Sequence, residues 1–171
     1  QLLIAYSNSN IDILHQLDVF NIPDLKRDNI IGDKTIYHIY PRNGLFYLST
    51  GLGIVIADGS RYEIRDSWFI GNNGSQVKVS GFTSDGSFFY AATAEGLKRA
   101  AVNGPNPANY ANWQLLSGAN GLTAGPVNKV VTIQNKVLLL KSDSVFVQNG
   151  NNWSLFYRDG WTISNMNVSE N

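Results

Sequence analysis

The stretch Leu45-Phe-Tyr-Leu-Ser-Thr-Gly-Leu-Gly-Ile-Val-Ile-Ala-Asp58 decides the fold. Its apolar and aromatic runs, broken by a small polar corner, read as two strands turning at Thr50-Gly-Leu-Gly53. Just ahead, Asn43-Gly44 accepts positive φ at both central positions of a type I′ turn, so Ile36-Tyr-His-Ile39 pairs as the preceding strand. The pattern returns as Val79-Ser-Gly-Phe82, Asp85-Gly86 and Phe88-Phe-Tyr-Ala-Ala-Thr-Ala-Glu-Gly-Leu-Lys-Arg-Ala100. It returns again as Val127-Asn-Lys-Val130, a turn at Asn135-Lys136, and Val137-Leu-Leu-Leu-Lys-Ser-Asp-Ser-Val-Phe-Val147. A further copy opens at Ile163-Ser-Asn-Met166, and the chain starts inside another, Leu2-Leu-Ile-Ala-Tyr-Ser-Asn-Ser-Asn-Ile-Asp-Ile-Leu14.

Each unit closes on an aromatic strand: Trp68 in Asp66–Gly71, Trp113 in Asn112–Gly118, Trp153 in Asn152–Tyr157, with Val19-Phe20 in that place in the first. A period of roughly forty residues with four short strands per unit marks β-propeller blades. The expected fold is therefore all-β, a propeller fragment of about four blades of four antiparallel strands. Its divisions are a partial blade at 1–35, blades at 36–76, 77–126 and 127–162, and the first strand of a next blade at 163–171. All belong to one propeller region, part of a larger ring. Small residues at Ser49-Thr50 and Ala91-Ala92 suit crowding near the propeller axis, while Phe46, Tyr47, Phe89 and Tyr90 fill the wedge between sheets. Helix signals are poor; the best is a turn or two at Pro23–Asn29. Unpaired blade edges are templates for strand pairing between chains.

Composition narrows function by exclusion. The 171 residues carry 13 basic and 13 acidic side chains, scattered singly, for a formal charge of zero. No basic stripe exists to neutralise phosphates, which argues against nucleic-acid binding. Cysteine is absent, so disulfides, thiolate chemistry and cysteine zinc sites fall away together. No apolar run approaches the length of a membrane span, so no membrane insertion by this segment is expected.

The search for chemistry yields little. His15 and His38 stand without ligand spacing or an acidic partner, and read as packed or surface residues. Thr50-Gly-Leu-Gly53 lacks the lysine and helix of a phosphate loop and is explained by the repeat. No serine sits in a nucleophile elbow. Asp58, Glu63, Asp66, Asp85, Glu95 and Asp159 are spread over different turns, and Asp28–Asp33 does not match a calcium loop. No catalytic, cofactor or metal residue is assigned. Trp68, Trp113 and Trp153 share one structural phase and read as packing. Trp161, after Asp159-Gly160, falls outside that phase, and it is the residue assigned to a contact surface.

Four segments narrow the family. They are Leu3–Leu14, Asn21-Ile-Pro-Asp-Leu-Lys-Arg-Asp-Asn-Ile-Ile31 with Gly32–Ile36, Ser49–Val55, and Asn109-Tyr-Ala-Asn-Trp113. Together they resemble the N-terminal propeller of PorZ-like proteins, within a wider resemblance to the propeller repeats of Bacteroidetes two-component regulators. That resemblance implies an exported, non-catalytic interaction module at the outer cell surface or in the periplasm. Its implied partners are other proteins of a type IX secretion attachment complex, and lipopolysaccharide or another glycan. The alternative implied is the periplasmic sensor propeller of a hybrid two-component regulator. No cofactor is implied.

Overall fold

In the computed structural model, residues 1–168 are described, and they form four antiparallel meanders. The first has three strands: β1 (Leu2–Ala5), β2 (Ile11–His15) and β3 (Asp18–Ile22). One helical turn, α1 (Asp24–Arg27), leads to β4 (Ile36–Arg42), β5 (Leu45–Thr50), β6 (Ile54–Asp58) and β7 (Glu63–Trp68). The third blade holds β8 (Val79–Ser84), β9 (Phe88–Thr93), β10 (Gly96–Ala101) and a two-residue β11 (Gln114–Leu115). The fourth holds β12 (Lys129–Ile133), β13 (Lys136–Lys141), β14 (Ser144–Asn149) and β15 (Asn152–Arg158). Within each sheet the strands lie in chain order, the arrangement of propeller blades.

Both faces of an inner blade are covered, so its second strand is buried along most of its length, yet period two still sorts its side chains. On β5, Leu48 joins Ile11, Ile13 and Ile22 of the first blade. Its neighbour Tyr47 turns to Phe82, Phe89 and Trp113 of the third. On β9, Phe89 and Ala91 face back to the second blade, while Tyr90 and Ala92 face Val130, Val137 and Trp153 of the fourth. Three cores therefore sit between consecutive sheets. The innermost strands also touch directly: Thr83 Oγ1 donates to Thr132 Oγ1 at 3.1 Å, and Ser80 Oγ to the Val127 carbonyl at 3.0 Å.

Turn chemistry departs from expectation in two places. Asn43 and Gly44 have φ of 51° and 76°, as a type I′ turn requires. The third blade instead uses three residues, Asp85–Ser87. There the Asp85 carboxylate accepts the Ser87 and Phe88 N–H groups at 2.8 and 2.7 Å, and Gly86 alone takes positive φ. In the fourth blade the left-handed pair is Gln134-Asn135 (48° and 61°), one residue ahead of the expected Asn135-Lys136. Of residues 163–171, expected to open a further blade, 163–168 form no strand and 169–171 lie outside the described residues. An innermost strand takes its ladder from the second strand of its own blade, and the described residues supply none. Ile163 N–H donates instead to the Ser142 carbonyl at 3.0 Å.

Candidate functional site

Most of the residues weighed for chemistry have a structural task. Asp58 accepts Ser60 N–H and hydroxyl and Arg61 N–H, closing the β6–β7 turn. Asp28 and Asp33 accept N–H groups two residues on, and Asp33 also takes the Tyr37 hydroxyl at 2.6 Å. Glu95 meets Lys98 Nζ at 2.6 Å, and that buried ammonium also donates to the Ile70 carbonyl at 2.6 Å, tying the third blade to the second. No group of three or more His, Cys, Asp or Glu among the described residues is placed to hold a metal ion.

The recurring tryptophans pack as their phase implies. Trp68 and Trp113 lie 6.3 Å apart in the core between the second and third blades. Their indole N–H groups donate to Asp66 Oδ2 and the Pro107 carbonyl, both at 2.8 Å. Trp153 is buried with the fourth blade's core. Trp161 is different: 79% exposed, in the segment after β15. Leu155, Phe156 and Tyr157 on β15 are exposed as well, Phe156 being the unpaired residue of a β-bulge. These exposed apolar side chains lie close to Trp161 along the chain.

The inner strands carry a second surface, a hollow of about 450 Å³ lined by His38, Tyr40, Phe82, Thr83 and Thr132. His38 Nδ1 accepts the Phe82 N–H at 3.3 Å, which requires a neutral ring. Burial, with Lys129 nearby, lowers its pKa to about 4. Burial likewise holds the Lys129 ammonium below its usual value. Opposite His38 on β5, the Ser49 hydroxyl is fully buried without a partner among the described residues.

The third surface is a cleft of about 400 Å³ between the second and third blades. Tyr47, Trp68 and Phe89 form its floor, with ring centroids 5.6 to 5.9 Å apart. Arg42, Arg65, Asp66, Asn103 and Asn106 stand around it. Arg42 lies over the Phe89 ring, 5.4 Å from its centroid. Arg65 is the unpaired residue of a bulge between β6 and β7, which turns its side chain out of the ladder. One wall is the long loop between β10 and β11. It braces itself through Asn106 to the Ala108 N–H, Asn109 to the Ala111 N–H and Asn112 to the Asn106 carbonyl.

One three-stranded and three four-stranded meanders, stacked with shared inter-sheet cores, define this molecule as an arc of a β-propeller. The chain belongs to the family described as the type IX secretion PorZ N-terminal beta-propeller domain, whose model matches residues 1–114. Among solved structures it is similar to PorZ of Porphyromonas gingivalis, described as an essential bacterial surface component of the type IX secretion system. The TM-score is 0.80 at 22% identity, over 94% of this chain and 21% of that one. It is also similar to the extracellular domain of a hybrid two-component system of B. thetaiotaomicron, with TM-score 0.61, 10% identity, and 91% and 21% coverage. The AfRom2 CNH domain shares the fold at TM-score 0.59 and 10% identity, over 98% of this chain and 52% of that one. No match was found among curated protein sequences. The chain thus spans about a fifth of the PorZ chain it resembles.

Proposed function

We propose that this arc belongs to a non-catalytic propeller module of an exported protein, at the outer surface or in the periplasm. There it works by contact with other proteins of a secretion-type surface complex. The observation that carries the reading is the family match over residues 1–114, supported by the PorZ-like fold of nearly the whole chain. Carboxylates that cap turns, such as Asp33, Asp58 and Asp85, and a histidine, His38, packed between blades suit a scaffold. The exposed strip of Leu155, Phe156, Tyr157 and Trp161 supplies aromatic anchors of the kind that dominate protein interfaces. Delivery of lipopolysaccharide, a role the PorZ resemblance implies, belongs to the same proposal. The likeness to two-component extracellular domains supports a second reading as a sensor propeller. It is a likeness of fold at 10% identity, whereas the family match is specific to PorZ.

A photo-reactive residue placed at position 161 of the full protein, in the producing cells, tests the contact surface. We expect cross-links from 161 to a second surface protein and none from a control probe at exposed Arg61. Cross-links only within the same chain would remove Trp161 from the interface. A full-length gene that continues into a membrane helix and a histidine kinase would favour the sensor reading instead.

A further inference from the structure

Two tyrosines stand at one position of successive blades, each third in its strand: Tyr47 on β5 and Tyr90 on β9. Each turns toward the following blade. Five residues before Tyr90 stands Asp85, whose Oδ2 accepts the Tyr90 hydroxyl proton at 2.8 Å. Five residues before Tyr47 the chain has Arg42 instead. No acceptor among the described residues takes the Tyr47 hydroxyl proton. The guanidiniums of Arg42 and Arg65 both act on that hydroxyl, opposing the rise in its pKa that burial produces.

Neither guanidinium has a carboxylate partner among the described residues; the ion pairs found are Arg61–Glu63, Lys98–Glu95 and Arg158–Asp143. Asp66 also lines the cleft, but its two oxygens already accept the Ser67 N–H and the Trp68 indole N–H, each at 2.8 Å. Two guanidiniums against the one hydrogen-bonded Asp66 carboxylate leave the cleft with a net positive charge beside a tyrosine hydroxyl. In the next blade the protein's own carboxylate occupies the corresponding place. The bulge is no peculiarity of this site, since β15 has one too, with Phe156 as the extra residue. What distinguishes the cleft is the side chain the bulge presents and the long loop that walls it. Between β10 and β11 that loop runs over residues 102–113, where β6–β7 needs four residues and β14–β15 two.

We propose that this cleft binds a small carboxylate ligand, an acidic monosaccharide unit, with its carboxylate between Arg42, Arg65 and the Tyr47 hydroxyl. Guanidinium forks match carboxylate geometry and form strong charge-assisted bonds. The cleft volume of about 400 Å³ falls in the range of small-molecule sites, and the Asn103 and Asn106 amides suit sugar hydroxyls at the rim. The proposal rests on the cleft alone and is independent of the protein contacts proposed for Trp161.

Saturation-transfer NMR on the full protein with glucuronate as probe, competed by acetate, glucose or inorganic phosphate, tests it. Glucuronate is expected to receive saturation, to lose it to excess acetate and to keep it against glucose. Arg65→Gln is expected to weaken binding about tenfold, the loss of one charge-assisted pair. Arg42→Asp, which rebuilds the internal arrangement of Asp85 and Tyr90, is expected to abolish it. Arg61→Ala, on the surface beside Glu63, should bind as the parent does. Absence of transfer, displacement by glucose as strong as by acetate, or unchanged binding in Arg65→Gln would each overturn the proposal. Stronger displacement by phosphate than by acetate would overturn the carboxylate assignment. Cross-linking at position 161 should be unaffected by Arg65→Gln, which separates this site from the interface.

Discussion

One hydroxyl closes three hydrogen bonds at Thr50. It accepts the Leu52 and Gly53 N–H groups, each at 3.2 Å, and donates to the Gly53 carbonyl at 3.0 Å. Thr93 repeats the arrangement with Glu95 and Gly96. Both threonines are fully buried, so removing the oxygen strands backbone groups that water cannot reach. Thr50→Val should destabilise by about 1–3 kcal/mol in urea denaturation, and Thr50→Ser by much less. Gly53 completes the corner because its φ is +147° and an added Cβ would lie 2.2 Å from the Trp68 carbonyl oxygen. That corner was readable from composition and spacing. The fate of His38 was not, because its acceptor role depends on a neighbouring blade's Phe82 N–H. With a folded pKa of about 4 against 6.5 unfolded, the unfolded chain binds the proton that the fold excludes. Stability from His38 is therefore complete above about pH 6.5 and falls as pH drops toward 4. His38→Gln can still accept from Phe82 but does not titrate. Denaturation at pH 4.5 and 7.5 should show a smaller acid loss in that variant; an equal loss would refute the assignment.

Hairpins show where local chemistry suffices and where it is outvoted. Asn43-Gly44 forms the turn its sequence favours. Asp85-Gly86 does not, because the Asp85 side chain caps two N–H groups and lengthens the loop to three residues. At Gln134-Asn135, two L-residues hold left-handed backbone that asparagine followed by glycine adopts more readily. The double change Gln134→Asn, Asn135→Gly should therefore stabilise by about 0.5 kcal/mol, read from the urea midpoint. The Glu95–Lys98 pair has the opposite sensitivity. Lys98→Met leaves a three-quarters-buried carboxylate without its cation and frees the Ile70 carbonyl, so a loss of about 2–3 kcal/mol is expected. Sequence spacing pointed to neither Lys98 nor Arg42, since the Ile70 carbonyl and the Phe89 ring reach them from outside their own blades.

Blade number, strand order and the packing of three tryptophans follow from a pattern that repeats within one chain. Each repeat must bury two faces with the same few apolar positions. The cleft between the second and third blades was invisible in that pattern because it arises where the repeat is broken. Arginine replaces aspartate at position 42, and a long loop replaces a short turn after β10. Exposure on the outer blades follows the same logic: Leu17 and Val19 at one end, Leu155 and Phe156 at the other, show the apolar character that inner blades bury. We propose that further blades or a partner protein cover these surfaces. A cryo-electron microscopy structure of the full protein, purified with its native partners from the producing cells, tests this most directly. The account predicts residues 1–168 as consecutive blades of a larger ring, with a second protein seated against Trp161. A closed four-bladed ring standing alone, or a ring whose axis holds a substrate being turned over, would contradict it.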